Sequence, residues 1–94
     1  MLITRHIDES ICINHQACVT VHDIAGQKVV LFIEDRHSGE SRMQVMAANE
    51  ELAITEYGTT LCPSTISESR VTFEIHHDPQ VTVHRMEEPE VGLH

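Results

Sequence analysis

Two short, strand-like segments carry the side chains best suited to chemistry. Thr4, Arg5 and His6 lie in the run Met1-Leu2-Ile3-Thr4-Arg5-His6-Ile7, and His84 and Arg85 close the run Val81-Thr82-Val83-His84-Arg85. Arginine is a planar, permanently charged fork able to bridge a base edge and phosphate oxygens. Imidazole stacks on a base or, once protonated, meets a phosphate. Thr4 adds a hydroxyl. A pair of strands bearing these groups also offers backbone N–H and C=O to unstacked bases.

Other clusters carry less. His76-His77-Asp78 together with His84 contains imidazole and carboxylate, both metal ligands, but no helix or cysteine pair fixes their geometry, and they read as a solvated loop. Cys12, Cys18 and Cys62 are odd in number and lack paired spacing, so they read as three ordinary thiols. No serine or cysteine has a positioned base, which argues against an enzyme. No cofactor is implied.

Those residues need a scaffold, and composition restricts its type. Ninety-four residues suit one compact domain or two very small units sharing a core. Phe32, Phe73 and Tyr57 are the only aromatics, so a core must be built from Val, Ile, Leu and Met. The longest apolar run, residues 29–33, is too short to span a membrane. Charge after residue 3 cuts off any secretory signal, and the expected compartment is the cytoplasm. The net charge of −9 is unusual for a nucleic-acid binder, whose affinity draws heavily on phosphate neutralisation. Residues 1–42 carry four basic and six acidic side chains, and residues 43–94 two and nine.

Alternation predicts an all-β protein. Residues 1–7, Ser10-Ile11-Cys12-Ile13, Cys18-Val19-Thr20-Val21-His22 and residues 28–33 read as strands. Asn14-His15-Gln16 and Ala25-Gly26-Gln27 read as turns. After a polar loop over 34–41 the pattern restarts. Met43-Gln44-Val45-Met46 followed by Asn49-Glu50-Glu51-Leu52-Ala53-Ile54 parallels the first thirteen residues. Val29-Val30-Leu31-Phe32-Ile33 is matched by Val71-Thr72-Phe73-Glu74-Ile75. From Glu9 to Ile33 is 24 positions, and from Glu50 to Ile75 is 25. The expectation is an internal duplication, with a long insertion in a single unit as the alternative. Residues 43–52 hold Met, Ala and Glu at helical spacing, so a short helix competes there. Pro63 removes a ladder donor and belongs at a strand edge or bulge. Pro89 and Gly92 argue against a long terminal helix, and Glu87-Glu88-Pro89-Glu90 reads as a solvated tail.

Both ends resemble the carbon storage regulator family, CsrA and its relatives RsmA and RsmE. Ile3-Thr4-Arg5-His6-Ile7-Asp8-Glu9-Ser10 is similar to the family's opening, and residues 19–29 to its central hairpin. Residues 71–75, five further residues and 81–85 match its fourth and fifth strands without a gap, with Pro79 on its loop proline. The resemblance implies a small CsrA-like barrel or sandwich of antiparallel and mixed strands. Family members are interlocked homodimers in which the first strand of one subunit meets the fifth strand of the other. Each such pair binds a GGA core in a single-stranded RNA loop and controls translation or stability of mRNA or small RNA.

Joined to the repeat, the resemblance implies a single-chain pseudo-dimer. Unit one, 1–42, has a good first strand and a degenerate fifth, Gly39-Glu40-Ser41-Arg42. Unit two, 43–94, has a degenerate first strand and a good fifth. One RNA site would survive, built by Leu2, Ile3, Thr4, Arg5, His6, Pro79, Val83, His84 and Arg85. The sequence departs from the family at His6, Gln80 and Glu74, where a basic residue, a lysine and a glycine are usual. The implied partners are RNA and a second chain, as homodimer or as heterodimer with a CsrA-type protein, and neither DNA nor membrane. The alternative is an acidic relative acting by protein contact, as antagonist or heterodimer partner.

Overall fold

A computed structural model describes residues 1–54 and 57–86. It contains nine strands: β1 (Leu2–His6), β2 (Ser10–Ile13), β3 (Ala17–Ala25), β4 (Lys28–Asp35), β5 (Ser41–Ala47), β6 (Leu52–Ile54), β7 (Thr59–Ile66), β8 (Arg70–His76) and β9 (Val83–Met86). They form a four-stranded sheet, β1-β8-β7-β6, and a five-stranded sheet, β5-β4-β3-β2-β9. The all-β expectation holds. All the described strand pairs are antiparallel, so the mixed strands that were expected are not among them.

Period-two alternation builds the core. Val29, Leu31 and Ile33 on β4 and Val71, Phe73 and Ile75 on β8 are all buried. They join one apolar cluster with Ile3, Ile11, Ile13, Val19, Val21, Leu52, Ile54 and Leu61, drawn from both sheets.

The same corner is built twice. Asp8 and Asn49 both take positive φ, at 76° and 71°, and their N–H groups donate to the carbonyls of Val21 (2.7 Å) and Pro63 (2.8 Å). The Glu9 carboxylate accepts from the His6 N–H, as the Glu50 carboxylate does from the Ala47 N–H, at 2.8 and 3.0 Å. Short polar side chains tolerate left-handed backbone, which is why Asp and Asn stand at these two positions. Both middle strands carry a bulge at matching places, Val21/Asp23 on β3 and Pro63/Thr65 on β7. The bulge accommodates Pro63 in an interior strand. Each three-stranded meander, β2-β3-β4 and β6-β7-β8, is extended by a strand from elsewhere in the chain: β5 on β4, and β1 on β8. The β2 edge also receives β9. The described residues supply no such partner for β6.

Several local expectations change. Residues 43–52 form no helix: β5 runs through Met46 to Ala47 because Met46 is needed in the core opposite Val29. Ser41 and Arg42, expected to end unit one, begin β5, while Gly39 lies in the preceding turn. The last strand starts at Val83 instead of Val81, since the Val81 N–H closes a turn onto Asp78 O at 3.0 Å. The Glu87-Glu88-Pro89-Glu90 tail and the expected lack of a terminal helix lie outside the described residues. Ala25 faces Lys28 across a two-residue turn, with Gly26 at φ 64°. A first turn residue in the left-handed region is what glycine supplies there.

The cysteines also differ from expectation. Cys12 and Cys18 face each other across β2 and β3 with Cα atoms 4.1 Å apart and are joined as a disulfide. Register brings together what sequence spacing did not reveal. Cys62 remains a thiol, and burial first, then the Glu51 and Glu74 carboxylates, push its pKa up. In the chain-entropy account, closing a loop of this length constrains the unfolded chain by about 2 kcal/mol. Reduction is therefore expected to lower Tm by roughly 10 °C, measured by thermal melts with and without dithiothreitol. An unchanged melt would show that the bridge contributes nothing.

Candidate nucleic-acid interface

The free edge of β1 and the free edge of β9 belong to different sheets, yet they border one groove. A cavity of about 520 Å³ is lined by Met1, Leu2, Ile3, Val83, His84 and Arg85. Among the described residues β1 pairs only with β8 and β9 only with β2, so each leaves a ladder edge without a strand partner there. β1 is anchored by Leu2 opposite Glu74 and by Ile75 N–H donating to Met1 O at 2.8 Å. β9 is anchored by Ile13 opposite Val83, and by Asn14 N–H donating to Thr82 O at 2.7 Å. Pro79 is exposed in the turn that leads into β9, following Asp78, where its fixed φ suits the second turn position. It does not line the cavity.

Alternation sorts the predicted residues onto two faces. Leu2, Thr4 and His6 point outward and are exposed. Leu2 is 64% accessible and lines the groove. The Thr4 hydroxyl lies 2.9 Å from that of Thr72. Ile3 points inward and belongs to the core, so it contributes backbone alone to the groove. Val83 and Arg85 share the side of their partners Ile13 and Ile11; Val83 packs against the core while Arg85, at the open edge, is exposed.

Arg5 corrects the sequence reading. It was expected to supply a second cation across the groove, but it points inward and is only 5% accessible. Its Nε donates to Thr4 O at 2.9 Å and lies 3.7 Å from the Glu9 carboxylate, and Nη1 reaches Ser10 O at 3.4 Å. A guanidinium is well suited to this place, since its fork satisfies several acceptors at once. Arg5 therefore ties β1 to the start of β2 instead of facing solvent. The His6 N–H and, secondarily, Arg5 hold the Glu9 carboxyl below its ordinary pKa, against partial desolvation.

His84 lies on the face of Cys12, its register partner, with its ring 4.4 Å from that of His15. The positive φ of Asn14 and His15, 54° and 58°, makes the turn that delivers the His15 ring. Burial first, then the charges of His15 and Arg36, lower the His84 pKa. Its Nδ1 is buried without a hydrogen-bond partner in the structure. The unfolded chain thus binds more protons than the folded one below pH 6.5, and stability falls as pH drops through that window. The His84→Phe variant is expected to show a shallower loss of stability between pH 6.5 and 5 than the parent, by urea titration. Equal slopes would refute the assignment.

Two cations beside β1 and β9 were not anticipated. Arg36 follows β4 in sequence, but its N–H donates to Gln16 O at 2.7 Å and its guanidinium approaches Met86 Sδ at 3.9 Å. Arg70 stands directly opposite His6 on β8. Neither lies in a motif; only strand register places them. Among the described residues no three His, Cys, Asp or Glu side chains converge as a metal site, and no helix is long and apolar enough to cross a membrane.

No family model matches the chain, and no curated protein and no solved structure matches it.

Proposed function

We propose that this chain is a post-transcriptional regulator of the carbon storage type, a cytoplasmic protein that binds a GGA-containing RNA loop to control translation or stability. The observation that carries the reading is the groove bordered by β1 and β9, with Arg85 exposed. In the family it resembles, a first strand lying beside a fifth strand forms the RNA site. The doubled corner and the matched bulges support reading the chain as two such units fused, with β1 lent to the second meander and β9 to the first.

The chemistry follows from the two edges. Unpaired N–H and C=O groups of β1 and β9 meet base edges, Leu2 and the His84 ring offer apolar and stacking surface, and Arg85 bridges a base and a phosphate. With a net charge of −9, binding rests on base contacts. About two phosphates engaged give a salt slope of about −1.4. The test is titration of a GGA hairpin against the pure chain. Expected is saturation at one RNA per chain with a solution mass near 10.6 kDa, and loss of binding when GGA becomes CCA. Two RNAs per chain, or equal affinity for CCA, would reject the reading. A second reading, an acidic relative that works by protein contact, is favoured by the charge and predicts weak or no RNA binding.

A further inference from the structure

We infer that the groove beside β6 receives an extended basic peptide strand from a partner protein, which adds to the β6 edge as a fifth strand. This groove is separate from the one bordered by β1 and β9. It measures about 500 Å³, and its wall includes Ala53 and Ile54 of β6, Glu34 and Asp35 at the end of β4, and Glu40 and Arg42.

The internal repetition identifies the space. Ile13 pairs with Ala17 and stands beside Val83 of β9, while Cys12 pairs with Cys18 and stands beside His84. In the other meander Ile54 pairs with Thr59 and Ala53 with Thr60, at the same places relative to the bulge. Ile54 and Ala53 therefore occupy the positions of Ile13 and Cys12, and the groove beside them corresponds to the berth that β9 fills in the five-stranded sheet. Cys12 and Cys18, 4.1 Å apart at Cα, have the short spacing of a pair that does not exchange ladder bonds. Cys12 consequently directs its N–H and C=O at β9. Ala53, in the same place, directs its own at the groove. An unpaired edge of this kind is completed by an added strand, with backbone bonds giving affinity and side-chain pockets giving selectivity.

The lining chooses the occupant. Three carboxylates, Glu34, Asp35 and Glu40, line it beside one cation, Arg42. That balance repels a phosphate backbone and favours a peptide with cationic side chains, an attraction that weakens with salt. Val83 of β9 is turned to the core, which sets the other requirement: an aliphatic residue at the matching position of the peptide.

The test uses the full chain and a synthetic peptide, the sequence of residues 81–86 flanked by a lysine at each end. Fluorescence titration is expected to give saturable binding, about fivefold weaker in a Glu34→Gln/Glu40→Gln variant. The same peptide with proline in place of its central valine should not bind. Hydrogen exchange at the Ala53 amide should be fast in the free chain and slow in the complex. A GGA hairpin should not displace the peptide, which separates this site from the RNA reading. Four results would overturn the inference: no saturable binding, an Ala53 amide already protected in the free chain, a doubled solution mass relieved by the peptide, or displacement by RNA.

Discussion

Replacing Arg85 with alanine is expected to cut affinity for a GGA hairpin by about ten- to a hundredfold while leaving the melting temperature nearly unchanged. Arg85 is exposed at the free edge of β9, and among the described residues no carboxylate pairs with it. Truncation therefore leaves no buried group stranded, and the fold should not register it. A guanidinium bridging a base edge contributes about 1–3 kcal/mol of discrimination, an interval that brackets the stated loss in affinity. Arg85→Lys keeps the charge but loses the fork, so it should recover only a small part of the binding. Titration at fixed salt reads the outcome, and an Arg85→Ala affinity equal to the parent's would remove this residue from the site.

The Arg5→Ala variant should behave in the opposite way, losing stability. Its side chain is buried and holds Thr4 O, Ser10 O and the Glu9 carboxylate. Truncation removes packed methylenes and strands those acceptors, at a cost of about 2–4 kcal/mol. For a domain of this size that is a fall in Tm of roughly 10–25 °C. The repetition supplies the control. Arg5 faces Val71 on β8 as Met46 faces Val29 on β4, so methionine already fills the matching position. Arg5→Met should cost about half as much as Arg5→Ala and, below its melting temperature, keep RNA affinity within about twofold. A large affinity loss in Arg5→Met without a change in Tm would return Arg5 to the RNA site.

These two arginines mark where sequence reasoning reached and where it stopped. Alternation located β1, β2, β3, β4 and β8, because burial of one face imposes period two on Val29-Leu31-Ile33 and Val71-Phe73-Ile75. It also carries the information that Arg5 and Ile3 share a face, and hence that Arg5 points inward. The motif reading, which counts cations without assigning faces, took it for a groove residue. The Cys12–Cys18 bridge, the approach of Arg36 to His84 and the placing of Arg70 opposite His6 depend on register between strands, which spacing along the chain does not encode. At residues 43–52 helix propensity lost to tertiary context: Met46 is worth more buried opposite Val29 than in an isolated turn of helix. Pro63 was legible as a residue for a strand edge or a bulge, and the structure puts it at a bulge.

The exchange of end strands between the two meanders has a consequence for how the molecule comes into being. Leu2 must find Glu74, and Ile11 must find Arg85, each more than seventy positions away. Neither sheet can close over the core until the ribosome has released nearly all of these residues, and such distant pairing makes acquisition of the native state slow. Because both partners travel on one polypeptide, completion is a first-order event. Dilution leaves it untouched, and a cell holding only a few copies would still hold them assembled.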